Sequence, residues 1–298
     1  MIAVSYFLPF TVLRPTALAA FLFLSFCVVA AFAAAPAPLQ TDAKFQRSFP
    51  ATPGSVLTVE NLRGSIHVTG GDKDEVVVNV TKNFRGKEKD KLWWMSAVKV
   101  DIENGNGLVK ITVVYPDSNC DDTCGITGHA RYTASIDLSI AVPRRTTLHL
   151  SGRKPDIAVS SIEGDITVNS HKSPITIQAT TGSIEINTTK DDVKVTNVAI
   201  TNSLVIKSEK STVLVEATSL GKDARLETDK GSIVIKMPSN AGAEVDFSGG
   251  RRSSFHSAFP IASNAAGNAA HEIHGTINQG GTQLHLRANK GSISLEKK

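Results

Sequence analysis

The feature that most constrains the fold is a series of short apolar triplets that recur every 9 to 12 residues from residue 157 onward. The triplets begin at residues 157, 166, 175, 184 and 193, and then at residues 204, 213, 224, 233 and 245. Taking every second triplet gives two interleaved series, 157, 175, 193, 213 and 233, and 166, 184, 204, 224 and 245. Two interleaved series with the same period predict a parallel β-solenoid with about twenty residues and two strands in each coil.

The residues within and between the triplets support an all-β fold. Ile166-Thr167-Val168 and Ile184-Glu185-Ile186 alternate apolar and polar side chains, as in strands with one buried face. Gly, Ser, Thr and Asp fill the intervals, and these residues favour turns. The alternative is an antiparallel β-sandwich, whose strands also recur about every 8–12 residues.

The same patterns divide the chain into segments. We expect a signal peptide over residues 1–33, a short linker over 34–50 and a single β-solenoid domain over 51–298. Within that domain we expect an irregular N-terminal β part at 51–145, regular repeats at 146–248, and a loop with a C-terminal cap at 249–298. Solenoids need such caps to cover their open ends.

The N-terminus has the pattern of a secretory signal. Arg14 precedes an uncharged run over residues 17–35, which contains the small-residue pattern Ala31-Phe32-Ala33. This arrangement predicts cleavage after Ala33 or Ala34 and export to the periplasm, the cell surface or the medium. The alternative is an uncleaved membrane anchor, because the run is close to the ~20 residues that span a bilayer. We expect contact with a membrane only through this segment.

The two cysteines of the exported part, Cys120 and Cys124, predict a disulfide, because they form an even pair in an oxidising compartment. The alternative is half of a zinc site, which lacks a second pair of ligands nearby. We therefore expect no metal and no cofactor. Loss of Arg14 with the signal leaves 31 basic and 28 acidic side chains, a net charge of +3. So small and dispersed a charge argues against nucleic acid as a partner.

Several segments resemble a known bacterial family. The segments are GSVLTV at Gly54–Val59, RGSIHVTG at Arg63–Gly70, and the C-terminal GGTQLHLRANKGSISLEKK. Together with the repeated Gly-Asp-Ile and Gly-Ser-Ile units, they resemble an exported β-strand-repeat family labelled "putative adhesin". The resemblance covers about residues 45–298. It implies interaction at a surface, and it offers no catalytic motif.

Few residues stand out as a binding site. Trp93 and Trp94 could stack on sugar rings, although two tryptophans on a short helix more often cover the end of the β core. Arg251 and Arg252 could bind an anion or could be solvated turn residues. They lie in the irregular stretch Gly249–Gly275, the best candidate for a ligand loop, because such loops on rigid scaffolds often carry function.

Two further patterns are weak signals for metal sites. Asp165 and the other turn aspartates lack the glycine pairs of calcium-binding β-rolls, so we expect them to accept backbone N–H groups. His271 and His274 lie three apart, and positions three apart in a strand point to opposite faces.

The function predicted from these observations is that of an exported, non-enzymatic, adhesin-like protein that binds a surface glycan or an envelope protein. A structural spacer and a carbohydrate-active β-helix enzyme are the alternatives. A groove lined with carboxylates would favour the enzyme, since glycoside hydrolysis uses paired carboxyl groups. An exposed apolar patch would favour the binding protein, and a uniformly polar surface would favour the spacer.

Overall fold

The computed structural model describes residues 42–116, 124–126, 130–263 and 271–298. The chain divides into two units, Met1–Ala37, which lies outside the described residues, and Pro38–Lys298. The elements are β1 Lys44–Pro50, β2 Val56–Gly71, β3 Glu75–Arg85, α1 Glu88–Ala97, β4 Lys99–Gly105, β5 Leu108–Val114, β6 Cys124–Ile126, β7 Ala130–Pro143, β8 Thr147–Ser160, β9 Ile166–Lys172, β10 Ile175–Gln178, β11 Thr181–Lys190, β12 Val193–Leu220, β13 Asp223–Met237, β14 Ala243–Ser257, β15 Ala262–Ser263, β16 Glu272–Ile277 and β17 Thr282–Lys297.

Two ladders of parallel strand pairs run through this part of the chain. The first ladder joins, in spatial order, residues 108–112, 56–60, 147–152, 166–170, 184–188, 204–208, 224–228, 284–288 and 245–249. The second ladder joins residues 136–143, 64–71, 155–160, 175–178 and 193–196, and then 211–216, 231–236, 291–295 and 253–257. Because β2, β8, β12, β13, β14 and β17 contribute to both ladders, the chain turns a corner within each of these strands.

The strand register reproduces the spacing of the triplets. Ile157 pairs with Ile175 and Ile175 with Val193, which are the first residues of successive triplets in one series. Leu204 pairs with Ala224, which are successive members of the other series. The all-β prediction is confirmed, and parallel pairing in both ladders rules out the antiparallel sandwich for these strands.

The core lies between the two ladders and consists mainly of Ile, Val and Leu. In β13, Ala224 and Leu226 are buried whereas Arg225 between them is exposed, and the other ladder strands alternate in the same way. Each fully buried Ile or Leu side chain contributes about 1.5–3 kcal/mol relative to an exposed one. The low aromatic content of the chain therefore reflects a core built from stacked aliphatic side chains.

The chain order breaks at both ends of the stack. β2 pairs with β8, which lies far from it in the sequence, as in Val56 with Thr147. β17 pairs with β13 on one side and β14 on the other, so the C-terminal strand lies inside the stack. At the C-terminal end of the stack, β14 pairs antiparallel with β16, which in turn pairs antiparallel with β15. The triplet at residue 245 consequently lies next to Leu284 of β17 in space, and not next to the triplet at 224.

The N-terminal end of the stack is irregular and partly antiparallel. β3 pairs antiparallel with β1 and β7, and β4 pairs antiparallel with β5. The helix α1 packs against β3, and Trp94 is fully buried 5.8 Å from the ring of Phe84. The buried Lys82 ammonium donates to the carbonyl oxygens of Met95 and Val98 at the end of α1, at 2.9 and 3.2 Å. This contact fixes the helix to the strand.

The repeated Gly-Ser-Ile sequence marks corners of the stack. Gly231 has a φ of +148° and Gly182 a φ of +149°, which favour glycine. A Cβ atom at Gly231 would overlap the carbonyl oxygen of Ser211, and one at Gly182 would overlap that of Gly164. The two glycines lie at opposite corners, so both corners need a residue without a side chain.

Candidate functional site

An open groove of about 860 Å³ runs across seven strands beside the end of the first ladder. At a strand spacing of about 4.8 Å, seven strands make it roughly 29 Å long. The lining residues come from β8, β9, β11, β12, β13, β17 and β14 in spatial order. Its length and its direction, across the strands, suit an extended polymer better than a compact small molecule.

The groove follows a column of small residues, one from each of the seven strands. Each is the register partner of the next, and the column is Gly152, Ser170, Thr188, Ser208, Thr228, Ala288 and Gly249. Most of these side chains point inward at the place where the strand bends, since Thr188, Ser208 and Thr228 are buried. Because the column carries no bulky side chain, the surface stays concave along these seven strands.

Polar side chains on either side of this column form the walls. The Asn187 amide donates to Asn169 Oδ1 at 3.1 Å, so neighbouring strands share an amide ladder. His171 Nδ1 lies 3.0 Å from Thr189 Oγ1, and the Asn289 amide donates to Asp229 Oδ1 at 2.7 Å. Amides, hydroxyls and carboxylates in one groove offer donors and acceptors that suit a ligand rich in hydroxyl groups.

A second hollow of about 550 Å³ shares Gly152 and Asn169 with the groove. Its lining includes Leu62, Val113 and the exposed Val114, so it adds an apolar end to the polar groove. A continuous surface with an apolar end and polar walls can contact both the faces and the hydroxyl groups of sugars.

Tyr115 closes the inner side of this hollow. Its hydroxyl donates to the carbonyl oxygen of Arg63 at 2.7 Å and lies 3.0 Å from Asn61 Oδ1. Asn61 is buried and donates through its side-chain amide to the Ile136 carbonyl oxygen at 2.8 Å. Burial raises the pKa of the Tyr115 phenol well above its usual value near 10, so the ring remains a neutral donor.

A column of basic side chains lies next to the groove, two residues beyond the small column in five strands and three residues beyond it at Arg252. Register partners place six of them on successive strands, namely Lys172, Lys190, Lys210, Lys230, Lys290 and Arg252. The residues just before them, such as His171, Glu209 and Asp229, line the groove. We call these six residues the basic column.

The basic column was missed at the sequence level, although the sequence contains a signal for it. The residue three positions before each triplet at 157, 175, 193, 213 and 233 is lysine. Finding that pattern requires aligning the repeats on their strands and reading the positions outside them.

Three carboxylates, Glu209, Glu227 and Asp229, lie in the groove, which is the feature expected of the enzyme alternative. Asp229 accepts a hydrogen bond from Asn289, while Glu227 lies between Lys207 and Arg287 on the neighbouring strands. Both arrangements are cross-strand polar pairings of the kind that stabilises a sheet.

A His–Asp cluster lies near the C-terminal end of the groove. Asp246 is 3.0 Å from His274 Nδ1 and 3.3 Å from His285 Nδ1, while His285 Nε2 is 3.8 Å from Asp223. Across the described ranges, no group of three or more His, Cys, Asp and Glu side chains is arranged to hold a metal ion. The contact with Asp246 explains the position of the His274 side chain.

The structure separates the two predicted tryptophans. Trp94 is fully buried against Phe84, so the prediction that it contacts a ligand is wrong, because packing against the β core removes its ring from the surface. Trp93 is 41% exposed on the same helix, and its role as a ligand contact stays a prediction.

The predicted ligand loop is partly strand. Arg251 and Arg252 are exposed within β14, where Arg252 joins the basic column, and Gly249 and Gly250 line the groove. Residues 264–270 lie outside the described residues, as does the predicted disulfide of Cys120 and Cys124. Asp165 accepts the backbone N–H of Ser183 at 2.8 Å, as expected of a turn aspartate.

Within the part of the chain that the structure describes, no helix is long and apolar enough to cross a membrane.

Two solved structures and one family model are similar to this chain. A "putative cell adhesion protein" from Clostridium sporogenes is 9% identical over 86% of this chain and 100% of its own, with a TM-score of 0.36. A "putative adhesin" from Parabacteroides merdae is 10% identical over 85% of this chain and 95% of its own, with a TM-score of 0.28. No curated protein matches. The family described as Toastrack DUF4097 matches residues 51–296, which confirms the predicted resemblance, and the chain therefore belongs to the Toastrack DUF4097 family.

Proposed function

We propose that this protein is an exported, non-enzymatic, adhesin-like module that binds an extended glycan of the cell envelope or of another surface along its groove. The observation that carries this proposal is the groove itself, open across seven strands and lined by amides, hydroxyls and charged groups. The predicted signal over residues 1–33 would place the groove outside the cytoplasm, where such glycans occur.

We further infer that the ladders are the two strands of a coil of about twenty residues, the repeat unit of a solenoid. Each coil then contributes the same few wall positions to the groove. Successive coils therefore offer equivalent contacts at a regular spacing, as a polymer with repeating units requires.

The test is binding of the purified full-length protein to a glycan array and to whole bacterial cells. We expect binding to at least one extended glycan, and we expect Asn169→Ala/Asn187→Ala to weaken it about tenfold, a loss of about 1.4 kcal/mol. Thr176→Ala, on the outer side of the second ladder, is the matched control and should leave the affinity unchanged.

Two results would contradict the proposal. Absence of binding to every glycan and to cells would remove the adhesin function. Release of reducing ends from a polysaccharide, lost in Glu227→Gln, would instead establish a carbohydrate-active enzyme. The three groove carboxylates are the observation that favours this second function.

A further inference from the structure

The basic column places six positive charges along one edge of the groove. Neighbouring members are direct register partners, so their Cα atoms lie about 4.8 Å apart across the strands. Lys172 and Lys190 are half-buried, and the other four side chains are exposed. Among the residues that the structure describes, the charged side chains of these six residues make no ion pair and no hydrogen bond.

The column continues toward the N-terminal end of the stack. Arg63 and Lys154 are register partners on β2 and β8, and each lies three residues before the first buried residue of the second ladder. Lys154 and Lys172 are 18 residues apart in the sequence. The register partners on either side of them have the same separation, namely Leu148 with Ile166 and Ile157 with Ile175. Eight successive strands of the stack therefore have Lys or Arg at this position. The proposal rests on the six that are in continuous register.

Such a column is unfavourable for the isolated protein. Like charges directly opposite each other on neighbouring strands destabilise a sheet. The column lies at a corner of the stack that consists of residues 171–173, 189–192, 209–211, 229–231, 289–291 and 250–253. This corner holds seven Lys and Arg side chains and four Asp and Glu side chains. We call it the basic corner. Its net charge of +3 equals that expected for the whole mature chain, so the excess positive charge of the protein is concentrated here.

From this arrangement we propose that the groove ligand is a linear acidic polysaccharide, whose repeated anionic groups lie along the basic column. This inference rests on the proposed function and specifies its ligand class. A chain lying in the groove would expose its carboxylate or sulfate groups to the lysines at one edge, while Asn169, Asn187 and the groove hydroxyls contact its sugar hydroxyls. Anions on successive units would offset the repulsion between neighbouring lysines.

The groove does not have the features of a nucleic-acid site. Single-stranded nucleic acids bind through aromatic side chains that stack on their bases, in addition to a basic strip. The described lining of the groove contains no Phe, Tyr or Trp. Polar side chains that suit hydroxyl groups favour a polysaccharide over an oligonucleotide.

The experiment measures the affinity of the full-length protein for polygalacturonate, dextran sulfate, neutral dextran and a thymidine oligonucleotide. The test variant is Lys190→Gln/Lys210→Gln/Lys230→Gln. The control, Lys110→Gln/Lys194→Gln/Lys222→Gln, removes the same charge from exposed positions outside the basic corner. Thermal unfolding of both variants verifies that they are folded.

We expect one or both acidic polysaccharides to bind. Comparison of polygalacturonate with dextran sulfate shows whether carboxylate or sulfate groups are preferred. The column variant should weaken that binding about thirtyfold or more and lower its salt dependence, and the control by less than about threefold. Equal losses in the two variants would overturn the proposal, because they would reflect net charge alone. Oligonucleotide binding as tight as that of the polysaccharides would overturn it as well.

The glycan arms separate this inference from the proposed function. The protein could bind neutral dextran or an array glycan with no preference for acidic chains, and with the same affinity in the column variant. That result would support glycan binding in the groove but refute an acidic polysaccharide as the ligand. Absence of binding to any glycan would refute both.

Discussion

The two corners of the stack solve the same backbone problem with different side chains. At both corners the chain turns between ladders next to a glycine with positive φ, Gly231 at the basic corner and Gly182 at the opposite one. The opposite corner consists of residues 161–165, 179–183, 197–203 and 217–222. Its apolar side chains Ile162, Val198 and Leu220 are buried. We call it the apolar corner.

Only one corner repeats a charge. At the apolar corner, Glu163, Thr181 and Ala199 occupy one position on successive strands, so that an acid, a hydroxyl and a methyl group follow each other. At the basic corner, the equivalent run is lysine on five successive strands. A turn therefore does not need lysine at this spacing, and the basic column has a cause other than the local fold.

The largest effect is expected where the corners are alike. Gly231→Val and Gly182→Val should each lower the free energy of unfolding by more than about 3 kcal/mol, because the new side chain overlaps a neighbouring backbone and φ is positive. Urea unfolding measures this loss. Gly105→Ala is the control, since its Cβ would meet nothing within 4 Å. A tolerated valine at either corner would show that the corners do not share this constraint.

The next effect separates the corners. Ile162→Ala at the apolar corner should cost about 3 kcal/mol, because it removes a fully buried side chain and leaves a cavity. Lys230→Ala at the basic corner should change stability by less than about 0.5 kcal/mol, since the side chain is exposed. Thermal and urea unfolding of both variants would test this. Comparable losses would mean that the lysines support the fold, which contradicts their proposed role.

A smaller effect is expected at Tyr115, which holds Asn61 and Arg63 where the basic side chains begin. Tyr115→Phe should cost about 1 kcal/mol at pH 7 through the lost hydrogen bond. The pKa of the phenol is raised in the folded state, so the stability it contributes is complete below pH 10 and is lost as pH rises above 10 toward the folded pKa. The difference between the two proteins should therefore shrink between pH 7 and pH 11, as urea unfolding at both values would show. A difference independent of pH would contradict the assigned cause.

The smallest effect should be a gain. Lys210→Gln, in the middle of the basic column, should raise the free energy of unfolding by about 0.5 kcal/mol at low salt, because it relieves repulsion from Lys190 and Lys230. The gain should vanish near ~1 M salt. Lys222→Gln at the apolar corner is the matched control and should be neutral. Destabilisation by Lys210→Gln at every salt concentration would show that the column is not under electrostatic strain.

Much of the fold was predictable because one physical rule repeats along the chain. The Ile and Val triplets fix which residues face the core, and their spacing equals the register of the ladders. The insertion of β17 between β13 and β14 was not predictable, because its Ile293 and Leu295 fit the core as well inside the stack as at its end. Trp94 was ambiguous for a similar reason, since an aromatic residue on a short helix suits both a surface and a core.

The candidate site was predictable only in part. Arg252 stands out in the sequence by its charge, but successive lysines of the basic column are separated in the sequence by 18 residues or more and look dispersed. Parallel stacking brings them within about 5 Å per step. The groove arises from small residues such as Ser208 and Thr228, which carry no chemical signature and become informative only in register.

The most direct test of the central claim is a footprint of lysine accessibility. The full-length protein is treated with formaldehyde and borohydride with and without polygalacturonate or dextran sulfate, and methylation of each lysine is measured by mass spectrometry. Bound polymer should protect Lys190, Lys210, Lys230 and Lys290, while Lys110 and Lys222 react as before. Uniform protection of all lysines, or protection only outside the basic corner, would contradict the account.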